Sequence, residues 1–332
     1  MDPREWTYLF GLSHVEFLRP REKRLLLEMF DSAQPLFHLS LADLGRLVGR
    51  KLVTRQWDPE ALLRSGERTG KFLTENGMGG IFYRDSTYPP QLREIYDPPV
   101  LLFYRGTLPD NGLPLAGIVG TRFPTGGARR AANRLGFELG RAGIGVVSGL
   151  AKGIDREAHD GCLRAGGKTI AVLGSGIDQI YPSSSRSSGI AILTHGGTIL
   201  SEYPPGVPPL QHHFPARNRI LSGLCRCVVV VQAPERSGAL ITAEHALQEG
   251  RDLFVHAAGL SGSAGEGTRR LAEAGACVVD GSAAILREWG MTPRAASLPR
   301  RRLPATGRPA GLLEQKFEGV RAFVTRTPHW RV

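Results

Sequence analysis

The sequence predicts an α/β protein whose mostly parallel sheet carries helices on both faces, preceded by a small helical unit. Three observations predict it. From about residue 113 onward, short β-branched or apolar runs alternate with helical patterns of ten to fifteen residues, which is the pattern of repeated βαβ units. The apolar runs are of strand length and are separated by glycine-containing turns, as expected for strands covered on both faces. Ahead of them, from about residue 5 to 76, apolar residues recur at helical spacing.

In chain order, Leu25, Leu26, Met29 and Phe30, then Leu41, Leu44, Leu47 and Val48, carry the helical period, with Asp43 and Asp58 near expected helix starts. Residues 1–78 are therefore read as a helical domain. A connecting stretch, 79–112, follows, in which Tyr88-Pro89-Pro90 and Asp97-Pro98-Pro99 punctuate extension strands such as Val100–Tyr104. The expected sheet strands are 115–119, 144–148, 169–173, 198–201, 227–231, 252–256 and 277–279, so this domain is read as 79–290. Right-handed crossovers should join the parallel strands, and a ligand should lie beyond their carboxyl ends. Residues 291–332 read as a basic Pro/Arg-rich tail with too few apolar residues for an independent domain.

The net charge of +11 is unevenly placed: residues 1–80 carry +1, residues 81–290 carry +3 and residues 291–332 carry +7. A basic tail raises affinity for any polyanion through counterion release without selecting one. A specific site must then be a local patch on a nearly neutral body. No apolar run approaches 18 residues and the start, MDPREWTYLF, lacks the layout of a secretory signal. A cytoplasmic protein with no membrane partner is expected. Cys162, Cys225, Cys227 and Cys277 form no CxxC pair and read as free thiols.

Small and polar residues occupy each strand exit. Gly120, Thr121 and Arg122 follow the first strand, Ser148, Gly149, Lys152 and Gly153 the second, and Ser237, Gly238 and Thr242 open the helix after the fifth. Glycine lets a ligand approach the backbone closely, and helices starting at such loops attract anions. Read structurally, the same glycines are tight turns. Arg122, at the end of the first strand, is best explained by a phosphate or carboxylate partner. There is neither a GxGxxG nor a GxxxxGK[ST], so dinucleotide or nucleoside-triphosphate chemistry is not expected. Asp155 and His159, at i and i+4, could form an acid/base pair, but a helix-dipole carboxylate and a hydrogen-bonded histidine explain them better. His212 and His213 lack a third ligand in register, and no nucleophile-base constellation stands out; no cofactor, metal or catalytic residue is expected.

The segment Phe214–Leu224 places a ring and two guanidinium groups at a loop-to-helix junction. Phe214 can stack on a base at roughly 1–3 kcal/mol, with Arg217, Asn218 and Arg219 addressing phosphate. Alternatively Phe214 packs in the core while Arg217 and Arg219 make salt bridges to acidic neighbours.

Taken together, YPPQLREIYDPPVLLFYRG at 88–106, VGTR at 119–122, SGLAKGID at 148–155, AHDG at 158–161, AVLGSGID at 171–178, SEYPPG at 201–206, FPARNRILSGL at 214–224, SGALITA at 237–243 and GRDLF at 250–254 resemble the DNA-processing protein A family, DprA or Smf, across nearly all of residues 1–290. The resemblance implies an extended Rossmann-like domain after a SAM-like helical domain, and a dimer formed through the Rossmann-like domain. It implies a non-enzymatic protein that binds single-stranded DNA and loads the RecA recombinase onto it in natural transformation and competence. Arg122 would contact phosphate, Phe214 a base, and Arg217, Asn218 and Arg219 would complete the second motif. Backbone N–H groups of 120–122, 149–153 and 237–238 would assist. Three positions depart from the family pattern: Gln232 stands where glutamate is frequent, Thr268 where asparagine is usual, and Leu210-Gln211-His212-His213 where some members carry a lysine. The competing reading is a nucleotide hydrolase of the related lysine-decarboxylase-like type, which needs PGGxGTxxE; Ser237–Glu244 lacks that glycine pair and spacing.

Overall fold

The structure, a computed structural model, describes residues 3–54 and 57–291; the expected basic tail lies outside the described residues. Four helices come first: α1 (Pro3–Ser13), α2 (Pro20–Phe30), α3 (Leu41–Leu47) and α4 (Pro59–Glu75). Asp58 caps α4 by accepting from Ala61 N–H, and Ser40 and Asp43 form a reciprocal capping box on α3, satisfying amides that a helix start leaves unpaired. The buried face of α2 is centred on Leu26 and Leu27, whereas Leu25 and Met29, expected to face the core, are about half exposed. The period of the apolar residues was right, but only Leu26 and Phe30 of the four lie toward the core, because five apolar side chains in six positions permit more than one stripe.

The sheet elements are β1 (Met78–Phe82), α5 (Pro90–Arg93), β2 (Leu101–Gly106), β3 (Leu115–Val119), α6 (Gly126–Arg141), β4 (Gly145–Ser148), α7 (Ile154–Arg164), β5 (Thr169–Leu173), α8 (Arg186–Thr194) and β6 (Thr198–Ser201). They continue as α9 (His213–Gly223), β7 (Cys227–Val230), α10 (Gly238–Gln248), β8 (Asp252–His256), α11 (Glu266–Glu273), β9 (Cys277–Val279) and α12 (Ser282–Glu288). All seven strands expected between 115 and 279 are present, within a residue at either end. Strand order is β1-β2-β6-β5-β4-β3-β7-β8-β9. Strands β3 to β9 are parallel, and β1 and β2 add an antiparallel extension at the β6 edge.

Alternation along each strand divides the core into two layers. Ala116, Ile118, Val146, Cys227 and Val229 face one layer, covered by α6, α7 and α12; Leu115, Val119, Val147, Val228 and Val230 face the other, covered by α5, α9, α10 and α11. The four cysteines are free, and burial raises the Cys162 thiol to about 12. The helical unit is docked rather than tethered: Phe10 of α1 packs on Phe103 of β2 with ring centroids 6.0 Å apart, in a cluster shared with Leu173 and Ile199. No helix of the described residues is long and apolar enough to cross a membrane.

Helices α6 and α7 touch through their backbones. A Cβ at Gly161 would lie 2.0 Å from Asn133 O, and one at Gly136 would lie 2.3 Å from Ala158 O. Neither neighbour is a flexible side chain, so Gly161→Ala should destabilise the fold by about 1–3 kcal/mol through overpacking, measurable as a lowered denaturant midpoint; an unchanged midpoint would mean that the helices part at no cost.

Candidate single-strand interface

The chain lays β3, β4, β5 and β6 successively in one direction, then α9 carries it back across the sheet so that β7 pairs with the far side of β3. That reversal opens a crevice at the carboxyl ends of β3 and β7, the place where open α/β sheets bind ligands. Loops after β3, β4, β5 and β7 and the start of α9 surround it.

The β3 and β4 loops are pressed together. Gly153, at φ 83°, leaves no room for a Cβ, which would lie 2.4 Å from Thr121 O, and Ile154 N–H donates to that same carbonyl at 3.2 Å. This contact brings Arg122, Lys152 and Gly153 to one open groove of about 630 Å³, completed by Arg156 and, from the β5 loop, Ser184. Arg122 and Lys152 are exposed and make no ion pair among the described residues. An exposed pair of cations without carboxylate partners, at a strand-end crevice, is suited to phosphate.

On the other side, Phe214 lies in the first turn of α9, half-buried, against Gly174 at the end of β5; a Cβ on that glycine would come within 2.9 Å of its ring. Tyr181 stands beside it with ring centroids 5.7 Å apart and is itself 47% exposed. Sequence reading did not single out Tyr181; an aromatic in a loop carries no mark of exposure until the fold places it. Together these rings form a partly open aromatic wall.

The other arginines of the α9 motif are structural, which corrects the expectation that they present guanidinium groups to phosphate. Arg217 is buried beneath the crevice and donates to Val172 O and, at 3.1 Å, to Gly149 O, joining the ends of β4 and β5. Burial pulls its pKa down to about 10, with Asp155 opposing that shift. Arg219, equally buried, donates to both oxygens of Glu202 at 2.7 and 2.8 Å and to Asp97 at 3.4 Å. It ties the Asp97-Pro98-Pro99 turn and the loop after β6 to α9. Asn218 is buried and donates to Gly238 O at 3.3 Å, linking α9 to the start of α10.

Several expected backbone donors are likewise engaged. Thr121 N–H donates to Gln232 O at 2.7 Å. Gly149 and Ala151 N–H groups donate to the Asp155 carboxylate at 3.1 and 3.4 Å, which holds Leu150 between them at φ 57°. That conformation costs an L-residue roughly 1–3 kcal/mol, and Leu150 gains a fully buried side chain from it. Ser148 Oγ donates to Ile118 O at 2.6 Å. Ser237 caps α10 by accepting from Ala239 N–H, and Thr242 is buried one turn later with a contact of 3.5 Å to Gly238 O. Gly238 itself is exposed, with open space around it. Gly120 packs against Ile154 and Gln232 and has no room for a side chain. Of the expected residues, Arg122, Lys152, Gly153, Phe214 and Gly238 reach the crevice surface; Gly120, Thr121, Ser148, Gly149, Arg217, Asn218, Arg219, Ser237 and Thr242 build its walls.

The departures from the family pattern have specific places. Gln232 Oε1 accepts from Thr125 N–H at 2.8 Å, keeping an acceptor at the start of α6 without a charge. Thr268 Oγ1 accepts from Ala233 N–H at 2.7 Å, holding the loop after β7. His213 is buried and stacks on Tyr203 at 3.9 Å, with burial and His212 lowering its pKa, while His212 remains exposed. Asp155 is taken up by the amides above. His159 is fully buried, its Nδ1 within 2.7 Å of Thr169 Oγ1 and its pKa lowered by burial to about 3. The structural alternative for that i, i+4 pair accounts for both residues.

Comparison with known proteins gives a consistent identity. The sequence model of the DNA recombination-mediator protein A family matches residues 80–290. Protein Smf of Synechocystis is 40% identical over 256 residues, which are 75% of this chain and 62% of that protein. The DNA processing protein DprA of Streptococcus pneumoniae is 43% identical over 205 residues, 62% of this chain and 72% of that protein. The chain thus spans less than two thirds of the Synechocystis relative's length. The solved structure of the S. pneumoniae protein superimposes with a TM-score of 0.69 at 34% identity, covering 85% of this chain and 97% of that one. DNA processing protein A of Helicobacter pylori, whose structure was described for its single-stranded DNA binding mode, has a TM-score of 0.56 at 28% identity, covering 64% and 95%. A match spanning residues 80–290, which hold strands β2 to β9 and every wall of the crevice, makes this chain a member of the DNA recombination-mediator protein A family, the family of the DprA and Smf proteins.

Proposed function

We propose that this protein is a recombination mediator that binds single-stranded DNA in the crevice at the strand ends and hands it to the RecA recombinase. The observation that carries the reading is the presence, at the same strand-exit end of the sheet, of two cations without an ion pair among the described residues, Arg122 and Lys152, and a partly exposed ring pair, Phe214 and Tyr181. Phosphate contacts and base stacking together suit an unpaired strand, whose bases offer their faces, and do not read base edges. Selectivity for sequence should therefore be slight. The kinship with the H. pylori protein described for single-strand binding supports the same ligand.

In this reading the protein acts by binding rather than by turnover, as a homodimer formed through the Rossmann-like domain, in natural transformation. Ser148, Asp155 and Arg217, at the ends of β4 and β5, are each committed to holding a loop or strand end. Phe214→Ala should weaken binding of a thymidine oligomer by about 1–3 kcal/mol while leaving the melting temperature nearly unchanged. Equal affinity of mutant and parent in a fluorescence anisotropy titration would remove Phe214 from the interface. Loading is checked separately, by whether the protein accelerates recombinase filament assembly on coated single strands.

A further inference from the structure

Phe123, the residue after Arg122, is 84% exposed. A phenyl ring left in water forgoes roughly 1.5–3 kcal/mol of burial, and this one lies on the rim of the groove that holds Arg122 and Lys152. That groove meets a second one, of about 650 Å³, on the outer face of α6 and α7, and the two share Arg129 and Glu157. The second adds Arg130, Arg134 and Arg164 as cations.

Charge along this path is one-sided. Seven cations line the two grooves against two carboxylates, Glu157 and Asp160. Each carboxylate already faces an arginine, Glu157 with Arg129 at 2.8 Å and Asp160 with Arg156 at 3.6 Å, and Arg134 is paired with Glu138 at 2.6 Å. Arg122, Lys152, Arg130 and Arg164 are left without an ion pair among the described residues. Arg164 is held in place by Asn133 and by the Phe137 ring, 5.6 Å from its guanidinium carbon. A row of unneutralised cations with an exposed ring at its start is the arrangement that tracks a single-stranded backbone while stacking a base.

We propose that the bound strand leaves the crevice past Arg122 and runs over the α6–α7 face, with Phe123 as a stacking platform and Arg130 and Arg164 as backbone contacts. The proposal rests on the single-strand reading of the crevice and deepens it. From the start of α6 to Phe137 the path adds roughly 16 Å of helix, enough for a few extended nucleotides. Duplex DNA, or an acidic protein segment, would use the cations without needing the ring.

The test is an anisotropy titration of the full chain with thymidine oligomers of about six and about twenty nucleotides, which bracket common single-strand site sizes. The parent should bind the longer one more tightly. Arg130→Glu should reduce affinity for the longer oligomer about tenfold and lower its salt slope by about 1, while leaving the shorter one nearly unchanged. Phe123→Ala should lower affinity for the longer oligomer about tenfold, consistent with one stacked base, and should not weaken binding of a duplex of equal length. Both substitutions are at exposed positions, so unchanged melting temperatures confirm intact folding. Equal losses on both oligomers, no loss on either, or a Phe123→Ala defect shared by duplex would overturn the proposal. If the short oligomer binds and depends on Arg122 but added length gains nothing, the extension alone falls. If the short oligomer does not bind, the crevice reading falls with it.

Discussion

Arg122→Ala should lower the affinity for single-stranded DNA by about 10- to 100-fold at low salt, the equivalent of one charge-assisted hydrogen bond at roughly 1.5–3 kcal/mol. The expectation follows from position: Arg122 is exposed at the exit of β3, beside Lys152, with no carboxylate engaging it. Because no hydrogen bond or ion pair among the described residues uses this guanidinium, stability should stay within about 0.5 kcal/mol of the parent. The slope of log affinity against log salt should shrink by about 0.7 for each phosphate released from contact. Arg122→Lys should keep the charge and most of the salt slope but lose part of the affinity, since an ammonium cannot reproduce a guanidinium's paired donors. A titration in which Arg122→Ala binds as the parent does, with the same salt slope, would take Arg122 out of the interface.

Much of this arrangement was legible in the residues. Strands β3 to β9 announce themselves because parallel strands covered on both faces need apolar, β-branched runs such as Thr169–Leu173 and Cys227–Val230. Strand β1 gives no such sign: Met78-Gly79-Gly80-Ile81-Phe82 carries two glycines, and they are there because Tyr104 lies across Gly79 while Trp6 and Phe10 crowd Gly80. Such close approaches depend on residues far away in sequence. Strand-exit glycines likewise marked the end of the sheet where the open groove lies. Which groups face outward did not follow, since residue type does not disclose burial. Arg217 and Arg219 are the same kind of residue as Arg122 and occupy a motif rich in polar side chains, yet their partners are Val172, Gly149, Glu202 and Asp97. The 214–224 segment divides between its two readings: the arginines follow the packing alternative, with salt bridges and strand ends as partners, while Phe214 is only half-buried, which leaves its ring available for the stacking proposed above.

Arg217 should therefore behave in the opposite way from Arg122. Arg217→Met should cost about 3–5 kcal/mol of stability, because it removes the cation facing a buried carboxylate and leaves the Gly149 and Val172 carbonyls short of a donor. The deficit should depend on pH in a defined direction. Burial raises the pKa of Asp155, and Arg217 is the strongest influence opposing that rise. Without the guanidinium the folded-state pKa of Asp155 climbs further above its unfolded value, so the folded form holds its proton over a wider range. A group whose pKa is raised on folding loses stabilisation as pH rises from the unfolded pKa through the folded one. Mutant and parent should thus lie closest in acid and separate only as pH rises past the parent's folded-state pKa of Asp155, which itself lies above the unfolded value of about 4. What remains in acid is the cost of the unpaired carbonyls, which does not titrate. Asp155→Asn combined with Arg217→Met should recover the pH-dependent part and leave the constant part, since the amide carries no charge but accepts only from one side. Urea unfolding of the parent and these two variants across that pH range checks the argument. A loss below about 1 kcal/mol, or one of constant size at every pH, would show that Arg217 does not hold the β4 and β5 ends against Asp155.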